Sequence, residues 1–484
     1  MGDPYISVVV AARNDDHGDN MLRRMQAFLD SWIVQAERLG LESEILVVEW
    51  NPPANRPRLL EELNLAGGGT VCRVRSVEVP ASVHAAVPNA EAIPLHQMIA
   101  KNSGIRRARG EFVLATNLDI VFSREMMQFL AERRLEHGAI YRVDRYDVDC
   151  DIPPAAAGVD ALLEHCRSRV VRLFTAENYL RCERGELIST EPDDIAAPGI
   201  DFGQGWMPVE RHEDFRYRWA SSPGRLVFHR PPGACLRIDA EVGPSQGGLP
   251  LCIEVAEDLG TVVARSELSG RCQLRLFIPD PIERGAFSIN FQGQNMPLCP
   301  DLRMLHFRAR GLWWEKDAGE SDCWRLEVIE TAPERNWSST PSARARNVHN
   351  AAWLHANASG DFTLLSREDW FHLRGYPEFP IWPLHIDALF CYAAHHAGIR
   401  ERVLREPAQI FHIEHRSGAG WSPEGEETIS RRVSAKQVPV LDFDADLGRW
   451  VQQMRRWDAP VIFNLENWGL AGQELQELSL SGPA

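Results

Sequence analysis

The chain has 484 residues, enough for about two or three domains, and its 44% hydrophobic and 25% charged content is ordinary for a folded soluble protein. A formal net charge of -16 argues against a nucleic-acid partner or an anionic membrane surface, because both favour clusters of lysine and arginine. The ten cysteines are scattered, and the sequence contains no signal peptide and no apolar run of about 18 residues. We therefore expect a reduced, cytoplasmic protein that has no integral membrane segment and binds no nucleic acid.

The first predicted element is a strand at residues 5–14, YISVVVAARN, whose apolar run lacks the alternation of a half-exposed strand. Apolar residues at three- and four-residue spacing in 21–38 predict a crossover helix, and 44–50, EILVVEW, has the pattern of the next strand. This order predicts two parallel strands joined by a helix. Arg13 and Asn14 stand at the end of the first strand.

The segment 97–123 contains a helix with basic residues, a glycine turn, a buried strand and an acidic tip. Asn117 and Asp119 directly follow the predicted strand at 112–115. In open α/β sheets ligands bind beyond the carboxyl ends of strands, and two side-chain oxygens two residues apart can share a divalent cation that is bound to a diphosphate. Lys101 adds positive charge nearby, so this order predicts a site for a phosphorylated sugar donor.

Residues 225–329 differ from the first part of the chain, because they form short β-rich runs separated by proline, glycine, aspartate and asparagine. This pattern is typical of a β-sandwich. Three roles stay open for such a module: it binds an acceptor glycan, it makes an oligomer contact, or it only braces the fold.

The α/β pattern returns at residues 357–404, where Asp387 begins a predicted helix. One interpretation of Asp387 is a carboxylate that stabilises the helix dipole. Further along, the segment 409–421, QIFHIEHRSGAGW, places His412 and His415 after a short apolar run. Imidazoles are common in mixed-ligand metal sites, although one histidine packing on the strand and the other bonding to backbone explains the pattern equally well.

Eleven of the fifteen tryptophans lie beyond residue 300. Sugars stack their apolar faces on aromatic rings, so this asymmetry suggests a carbohydrate cleft. Core packing accounts for most tryptophans, and we assign only Trp382 and Trp421 to such a cleft.

Three short motifs resemble those of nucleotide-sugar glycosyltransferases with the GT-A fold, in particular the inverting glycosyltransferase family 2, which includes cellulose, chitin and hyaluronan synthases. They are Asn-Ser-Gly at 102–104, Gly-Glu at 110–111 and Asn-Leu-Asp at 117–119. The family normally has an aspartate where this chain has Asn117. Residues 205–220 are similar to the start of a small sandwich module attached to bacterial glycosyltransferases.

The resemblance implies an α/β fold in which a GT-A catalytic domain, Rossmann-like with a mostly parallel sheet, carries an inserted all-β sandwich. Residues 1–200 are then the donor-binding half, 201–333 the sandwich, and 334–484 the acceptor-binding half with a C-terminal tail. The implied enzyme is a glycosyltransferase that transfers a hexosyl or related group from a nucleotide-diphosphate sugar, most simply a UDP-sugar, to a glycan, lipid-linked or other hydroxyl acceptor with inversion. The resemblance implies that Mn²⁺ or Mg²⁺ assists this reaction. It is also compatible with a homo-oligomer. Because the chain lacks the membrane helices of the processive synthases, we expect single additions.

The resemblance also implies roles for individual residues. The expected donor contacts are Ala12, Arg13, Asn14, Glu49, Lys101, Asn102, Asn117 and Asp119. The expected metal ligands are Asp119, His412 and His415. Asp387 takes the place of the second acid in the family's Glu-Asp pair and is the expected base, whereas Ile386 replaces the glutamate. The expected acceptor contacts are Trp382, His385 and Trp421.

Other classes of function fit the sequence less well. A nucleotidyltransferase normally begins with a glycine-rich basic loop, which residues 11–20 do not contain. A glycoside hydrolase needs two carboxylates across a cleft, and no such pair is apparent in the sequence. A non-catalytic carbohydrate-binding protein built on a decayed glycosyltransferase domain stays open as the alternative. Asn117 and the missing glutamate favour it, whereas Asp119, Asp387 and the two histidines oppose it.

Overall fold

The structure is a computed structural model that describes residues 3–64, 71–190, 195–212, 215–258, 260–293, 303, 305–316, 318–319, 321–330, 354–415 and 426–480. It divides into two compact units. The first comprises Met1–Val171 and Leu354–Ala484, and the second comprises Arg172–Trp353.

The secondary structure alternates strands and helices at both ends of the chain and is almost entirely β in between. Strands β1 to β10 are Ile6–Ala12, Ser43–Trp50, Cys72–Val79, Phe112–Thr116, Ile120–Phe122, Ala139–Val143, Arg145–Val148, Val170–Phe174, Tyr179–Glu183 and Glu186–Ser189. Strands β11 to β21 are Ile200–Phe202, Glu210–His212, Phe215–Ala220, Gly224–His229, Cys235–Val242, Leu251–Glu257, Val262–Leu268, Arg271–Phe277, Arg284–Gln292, Phe307–Glu315 and Arg325–Glu330. Strands β22 to β25 are Phe362–Ser366, Arg400–Leu404, Ile410–Ile413 and Gln476–Leu480.

The helices belong almost entirely to the first unit. Helices α1 to α10 are Met21–Leu39, Leu59–Glu62, Ala81–Ala85, Gln97–Arg107, Arg124–Ala131, Val159–Ser168, Arg367–Leu373, Ile386–His396, Glu426–Lys436 and Gly448–Trp457. Short 3-10 turns occur at Ala155–Ala157 and Pro244–Gln246, and a π-helical turn at Phe443–Leu447.

The first unit contains a mixed eight-stranded sheet in the order β23-β6-β22-β4-β1-β2-β3-β25. β1 is parallel to β2 and β4, β2 is parallel to β3, and β22 is antiparallel to β4. Every residue of β1 and β2 is buried, as expected of strands covered on both faces. The parallel register brings the carboxyl ends of β1, β2 and β4 to one edge of the sheet. The sheet is therefore mixed, with parallel pairing of β1 to β2 and β4, of β2 to β3 and of β6 to β23.

Strand β24 lies next to the acidic tip that follows β4. His412 lies opposite Ile120 of β5 and in parallel register with Asp147 of β7. Asp119 directly precedes β5, and the amide of Ile413 donates to the carbonyl of Asp119 at 3.0 Å. The backbone thus fixes His412 beside two residues that lie more than 260 positions away in the sequence.

The second unit contains two antiparallel sheets. One has the order β11-β14-β19-β16-β17, and the other has the order β12-β13-β20-β15-β18-β21. A single hydrophobic cluster draws on both, for example Leu226 and Phe287 from the first sheet with Ile238 and Leu274 from the second. The short β-rich runs predicted within residues 225–329 are strands β14 to β21, which confirms that part of the prediction.

The units divide the chain at 171/172 and 353/354, whereas the sequence suggested 200/201 and 333/334. The hairpin of β9 and β10 belongs to the second unit because its contacts are there. Glu186 pairs with Arg225 at 3.0 Å, and the Asn178 amide donates to the Trp206 carbonyl at 3.0 Å.

No helix among the described residues is long and apolar enough to cross a membrane.

Candidate functional site

Three candidate metal ligands of the first unit meet at the carboxyl edge of the sheet. One ligand atom from each of Asp119, His412 and His415 lies within 4.8 Å of the others. His412 Nε2 is 3.8 Å and His415 Nε2 is 3.6 Å from Asp119 Oδ2. We call these three residues the histidine cluster. Two imidazole nitrogens and one carboxylate oxygen suit a divalent transition metal.

Asp147 orients the ring of His412. The Nδ1 atom of His412 lies 3.1 Å from Asp147 Oδ1, and an ionised carboxylate only accepts hydrogen bonds, so Nδ1 carries the proton and Nε2 faces Asp119. Burial opposes a charge on His412, but the attraction of Asp147 and then of Asp119 outweighs it and raises the pKa of His412 to about 9. A carboxylate behind a histidine is the usual support of a metal-binding imidazole, and a bound cation would displace the Nε2 proton.

His415 differs from His412 in its charge. Burial and then the neighbouring His412 lower the pKa of His415 to about 4, so its imidazole is neutral at neutral pH. A neutral imidazole can bind a metal ion directly. The residues present therefore fit a divalent cation.

Arg24 of α1 is the basic residue next to the cluster. Its Nε lies 3.6 Å from Asp119 Oδ2, and its side chain is buried. The remaining guanidinium nitrogens donate to the carbonyls of residues 17–19.

Asn117 is bonded to two side chains of the unit. Gln97 Nε2 donates to Asn117 Oδ1 at 2.9 Å, and Asn117 Nδ2 donates to Asp361 Oδ1 at 2.5 Å. Since β22 is antiparallel to β4 with Phe362 opposite Thr116, Asp361 lies opposite Asn117. The amide oxygen that was expected to face the donor is engaged by Gln97.

Arg145 links Asp361 to Asp147, the residue that orients His412 of the histidine cluster. Its Nη1 donates to Asp361 Oδ2 at 2.6 Å, and its Nε lies 2.8 Å from Asp147 Oδ1. The buried guanidinium lowers the pKa of both carboxyls despite their burial. Both are therefore ionised at neutral pH.

The expected base Asp387 lies in the first turn of α8 and is half-buried. The hydroxyl of Ser359 lies 2.8 Å from Asp387 Oδ2. Lys101 approaches the same turn, residues 359–361, where its ammonium group donates to the carbonyl of Gly360 at 2.6 Å. Complete burial lowers the pKa of Lys101 to about 8, and Asp361, Asp387 and Asp119 oppose that shift. Lys101 thus supports the turn next to Asp387 instead of facing solvent.

Asn102 has the contacts of a structural residue. It is fully buried, its Nδ2 donates to the Tyr376 carbonyl at 2.8 Å, and its Oδ1 accepts from the Tyr376 amide at 2.8 Å. The same Nδ2 lies 3.0 Å from Glu378 Oε1. These bonds tie α4 to the segment after α7.

Glu49 and Asn14, two expected donor contacts that we call the β2 side of the sheet edge, bind backbone groups of residues 57–59. Both carboxylate oxygens of Glu49 lie 3.1 Å from the amide of Leu59, and the Asn14 amide donates to the Pro57 carbonyl at 2.9 Å. Burial, partly offset by the Leu59 amide, raises the pKa of Glu49 to about 7. The Oδ1 of buried Asn14 has no hydrogen-bond partner among the described residues.

The two residues before Asn14 have different surroundings. Ala12 is buried in β1 opposite Glu49. Arg13 is half-buried, donates to the Asn51 carbonyl at 2.8 Å and pairs with Asp15 at 2.6 Å.

The expected acceptor contacts lie against the C-terminal segment. The Trp382 amide donates to the Pro439 carbonyl at 2.9 Å, and the Lys436 ammonium group lies 5.4 Å from the Trp382 ring. The ring of His385 packs on Phe443 with a centroid separation of 5.2 Å. Trp421 lies outside the described residues.

Sequence reasoning did not identify Arg24, Asp147, Ser359 or Asp361, although each contacts a candidate site residue. Asp147 carried a usable signal, because it is the next-to-last residue of a short β-rich run, as is His412. Nothing in the sequence pairs these two strands.

Comparison with protein-family models returns no match for this chain, and a search of curated protein sequences finds no significant match.

Proposed function

We propose that the first unit is a GT-A-type domain that transfers a sugar from a nucleotide-diphosphate sugar, most simply a UDP-sugar, to a hydroxyl acceptor with inversion. The second unit is, in this proposal, an inserted β-sandwich. The observation that carries the proposal is the histidine cluster beyond the carboxyl end of β4, next to the parallel strands β1 and β2. Ligand sites of open α/β sheets lie at such an edge, where the strand order reverses.

The histidine cluster is the part that would hold the cation. Asp119, His412 and His415 supply the ligand atoms, and a bound Mn²⁺ or Mg²⁺ would stabilise the negative charge of the leaving diphosphate. Asp147 keeps His412 in the tautomer whose Nε2 faces Asp119. The cluster is largely buried, which strengthens its electrostatic attraction for a diphosphate-bound cation.

Asp387 would take the proton of the acceptor hydroxyl. The Ser359 hydroxyl lies 2.8 Å from one carboxylate oxygen of Asp387, which orients the carboxylate. A single base on the acceptor side serves direct displacement at the anomeric carbon, so the product has the inverted configuration.

A non-catalytic carbohydrate-binding protein is the alternative, and the contacts of Asn117 favour it. The amide that replaces an aspartate is bonded to Gln97 and Asp361, so a cation would have to compete with Gln97 for its oxygen. The supported geometry of the histidine cluster opposes this alternative.

The test is donor cleavage by the purified full-length protein. We would incubate it with a panel of UDP-, GDP-, dTDP- and CMP-sugars with and without Mn²⁺, and measure thermal shift and nucleotide release. Stabilisation by one donor and its Mn²⁺-dependent cleavage, both lost in Asp119→Ala, would support the transferase. Stabilisation by glycans alone, with no donor bound or cleaved, would favour the carbohydrate-binding alternative.

A further inference from the structure

The side chain of Arg24 binds all three carbonyls of the loop at residues 17–19, between β1 and α1. Arg24 Nη1 donates to the Gly18 carbonyl at 3.0 Å and to the Asp19 carbonyl, and Nη2 donates to the His17 carbonyl at 2.8 Å. One planar guanidinium thus binds three consecutive carbonyls, and its Nε faces Asp119 at 3.6 Å. The rigid fork of donors in arginine allows this, and the single ammonium group of lysine does not.

The same loop packs directly on a ligand of the histidine cluster. A Cβ atom added to Gly18 would lie 3.0 Å from His415 Cγ and 3.1 Å from Arg24 Nη2. A side chain at this position would press on both the guanidinium and the imidazole. The His17 ring lies on the same side, with its centroid 6.3 Å from that of His415.

We propose that Arg24 is a positioning residue of the metal site, which holds residues 17–19 against Asp119 so that Gly18 fixes the imidazole of His415. Strand β24 ends at Ile413, so backbone pairing within the sheet does not fix His415 as it fixes His412. The loop supplies that restraint instead. This inference rests on the metal site of the proposed function, and it adds the residues that orient one ligand.

A simpler reading of Arg24 makes the opposite prediction. If its guanidinium acted only as a positive charge beside Asp119, it would repel a divalent cation, and its removal would tighten metal binding. If it positions His415, its removal weakens metal binding, because residues that orient metal ligands typically contribute about 10- to 100-fold in affinity.

The closest matched pair of variants is Gly18→Ala and Gly40→Ala. Both glycines have left-handed backbone, with φ of 75° and 66°, so an alanine is strained at either position. A Cβ atom at Gly40 meets nothing within 4 Å, whereas one at Gly18 meets His415. The two variants share the backbone cost and differ in the contact under test.

The measurement is the affinity of the full-length protein for Mn²⁺ alone, from the electron paramagnetic resonance signal of free Mn²⁺. We expect Gly18→Ala to bind Mn²⁺ about 10- to 100-fold more weakly than Gly40→Ala, and Arg24→Gln to weaken binding by a similar factor. Equal affinities of the two glycine variants, or unchanged or tighter binding by Arg24→Gln, would overturn the proposal. Circular dichroism identifies any variant that does not fold. If either Gly18→Ala or Arg24→Gln does not fold, the Mn²⁺ affinity of the one that folds tests the proposal.

Failure of this inference is distinguishable from failure of the proposed function. A protein that binds Mn²⁺ through the histidine cluster, loses affinity in Gly18→Ala and transfers no sugar would support the role of Arg24 and contradict the transferase. A protein that transfers sugar but has the same Mn²⁺ affinity in Gly18→Ala and Gly40→Ala would support the transferase and contradict the role of Arg24.

Discussion

The β4 side and the β2 side of the same sheet edge both carry polar residues at strand ends, but those residues are used differently. On the β4 side, Asp119 faces the two histidines of the cluster, and one ligand atom of each residue lies within 4.8 Å of the other two. On the β2 side, Glu49 binds the amide of Leu59, and Asn14 binds the carbonyl of Pro57.

This difference shows that position at a strand end does not by itself make a ligand contact. A buried polar group needs a partner, and a nearby backbone segment supplies one as well as a ligand does. Substitutions on the β4 side should change metal binding or chemistry. Substitutions on the β2 side should change stability first.

The largest expected effect on the β4 side is that of Asp387→Asn. The amide keeps the shape of the side chain but cannot accept the proton, so turnover should fall about 10²- to 10⁴-fold while donor affinity persists. Initial rates and donor titration measure the two quantities separately. Transfer at a near wild-type rate, or a product that retains the anomeric configuration of the donor, would contradict the role of Asp387.

A smaller effect is expected when the support of His412 loses its charge. Asp147→Asn still accepts a hydrogen bond from Nδ1, but it no longer attracts the imidazole electrostatically. We expect Mn²⁺ affinity to fall about 10- to 100-fold. Asp151→Asn, at an exposed position a few residues along, is the control. Equal Mn²⁺ affinities in the two variants would mean that Asp147 does not support the site.

Gly360→Ala tests the turn beside Asp387 without removing a functional group. The added Cβ atom would lie 3.2 Å from Asp387 Oδ2, whereas a Cβ atom at Gly472 meets nothing within 4 Å, and neither glycine has left-handed backbone. We expect about 10-fold slower turnover in Gly360→Ala, because a displaced base is less well oriented. Mn²⁺ affinity should stay unchanged in both variants. Equal turnover of Gly360→Ala and Gly472→Ala would show that the turn tolerates a side chain.

The expected effect on the β2 side appears in the pH dependence of stability. The folded state raises the pKa of Glu49 from 4.5 to about 7, so it holds a proton that the unfolded state releases. The contribution of Glu49 to stability is therefore fully present below pH 4.5 and decreases as the pH rises towards about 7.

The variant Glu49→Gln removes that titration while keeping the acceptor for Leu59. Relative to the variant, the wild type should lose up to about 1.4 kcal/mol of unfolding free energy per pH unit within this window. Urea unfolding at several pH values measures the difference. Parallel pH profiles of the two proteins, or a change in Mn²⁺ affinity in Glu49→Gln, would remove the contrast between the two sides.

The elements near the site were predictable because their signals are local. The strand expected at 5–14 is Ile6–Ala12, the helix expected at 21–38 is Met21–Leu39, and the strand expected at 112–115 is Phe112–Thr116. The placement of Asn117 and Asp119 just beyond a strand followed from the same pattern. Hydrophobic periodicity within about 20 residues carries this information.

The contacts of individual site residues were not predictable to the same degree. The sequence could not indicate that Asn117 would bond to Asp361, or that Asn102 would bond to Tyr376. Both contacts join positions more than 240 residues apart, and they arise from strand pairing and helix packing. Amide side chains also donate and accept, so their type alone does not indicate a partner.

The sequence by itself determined where the strands and helices form, because backbone periodicity and turn residues act over short distances. It also determined which residue types stand at the strand ends. Only the tertiary structure decided that β24 pairs with β5 and β7, and thereby brought His412 between Asp119 and Asp147. The register of two distant strands depends on the burial of their faces against the whole sheet, and no local pattern encodes that choice.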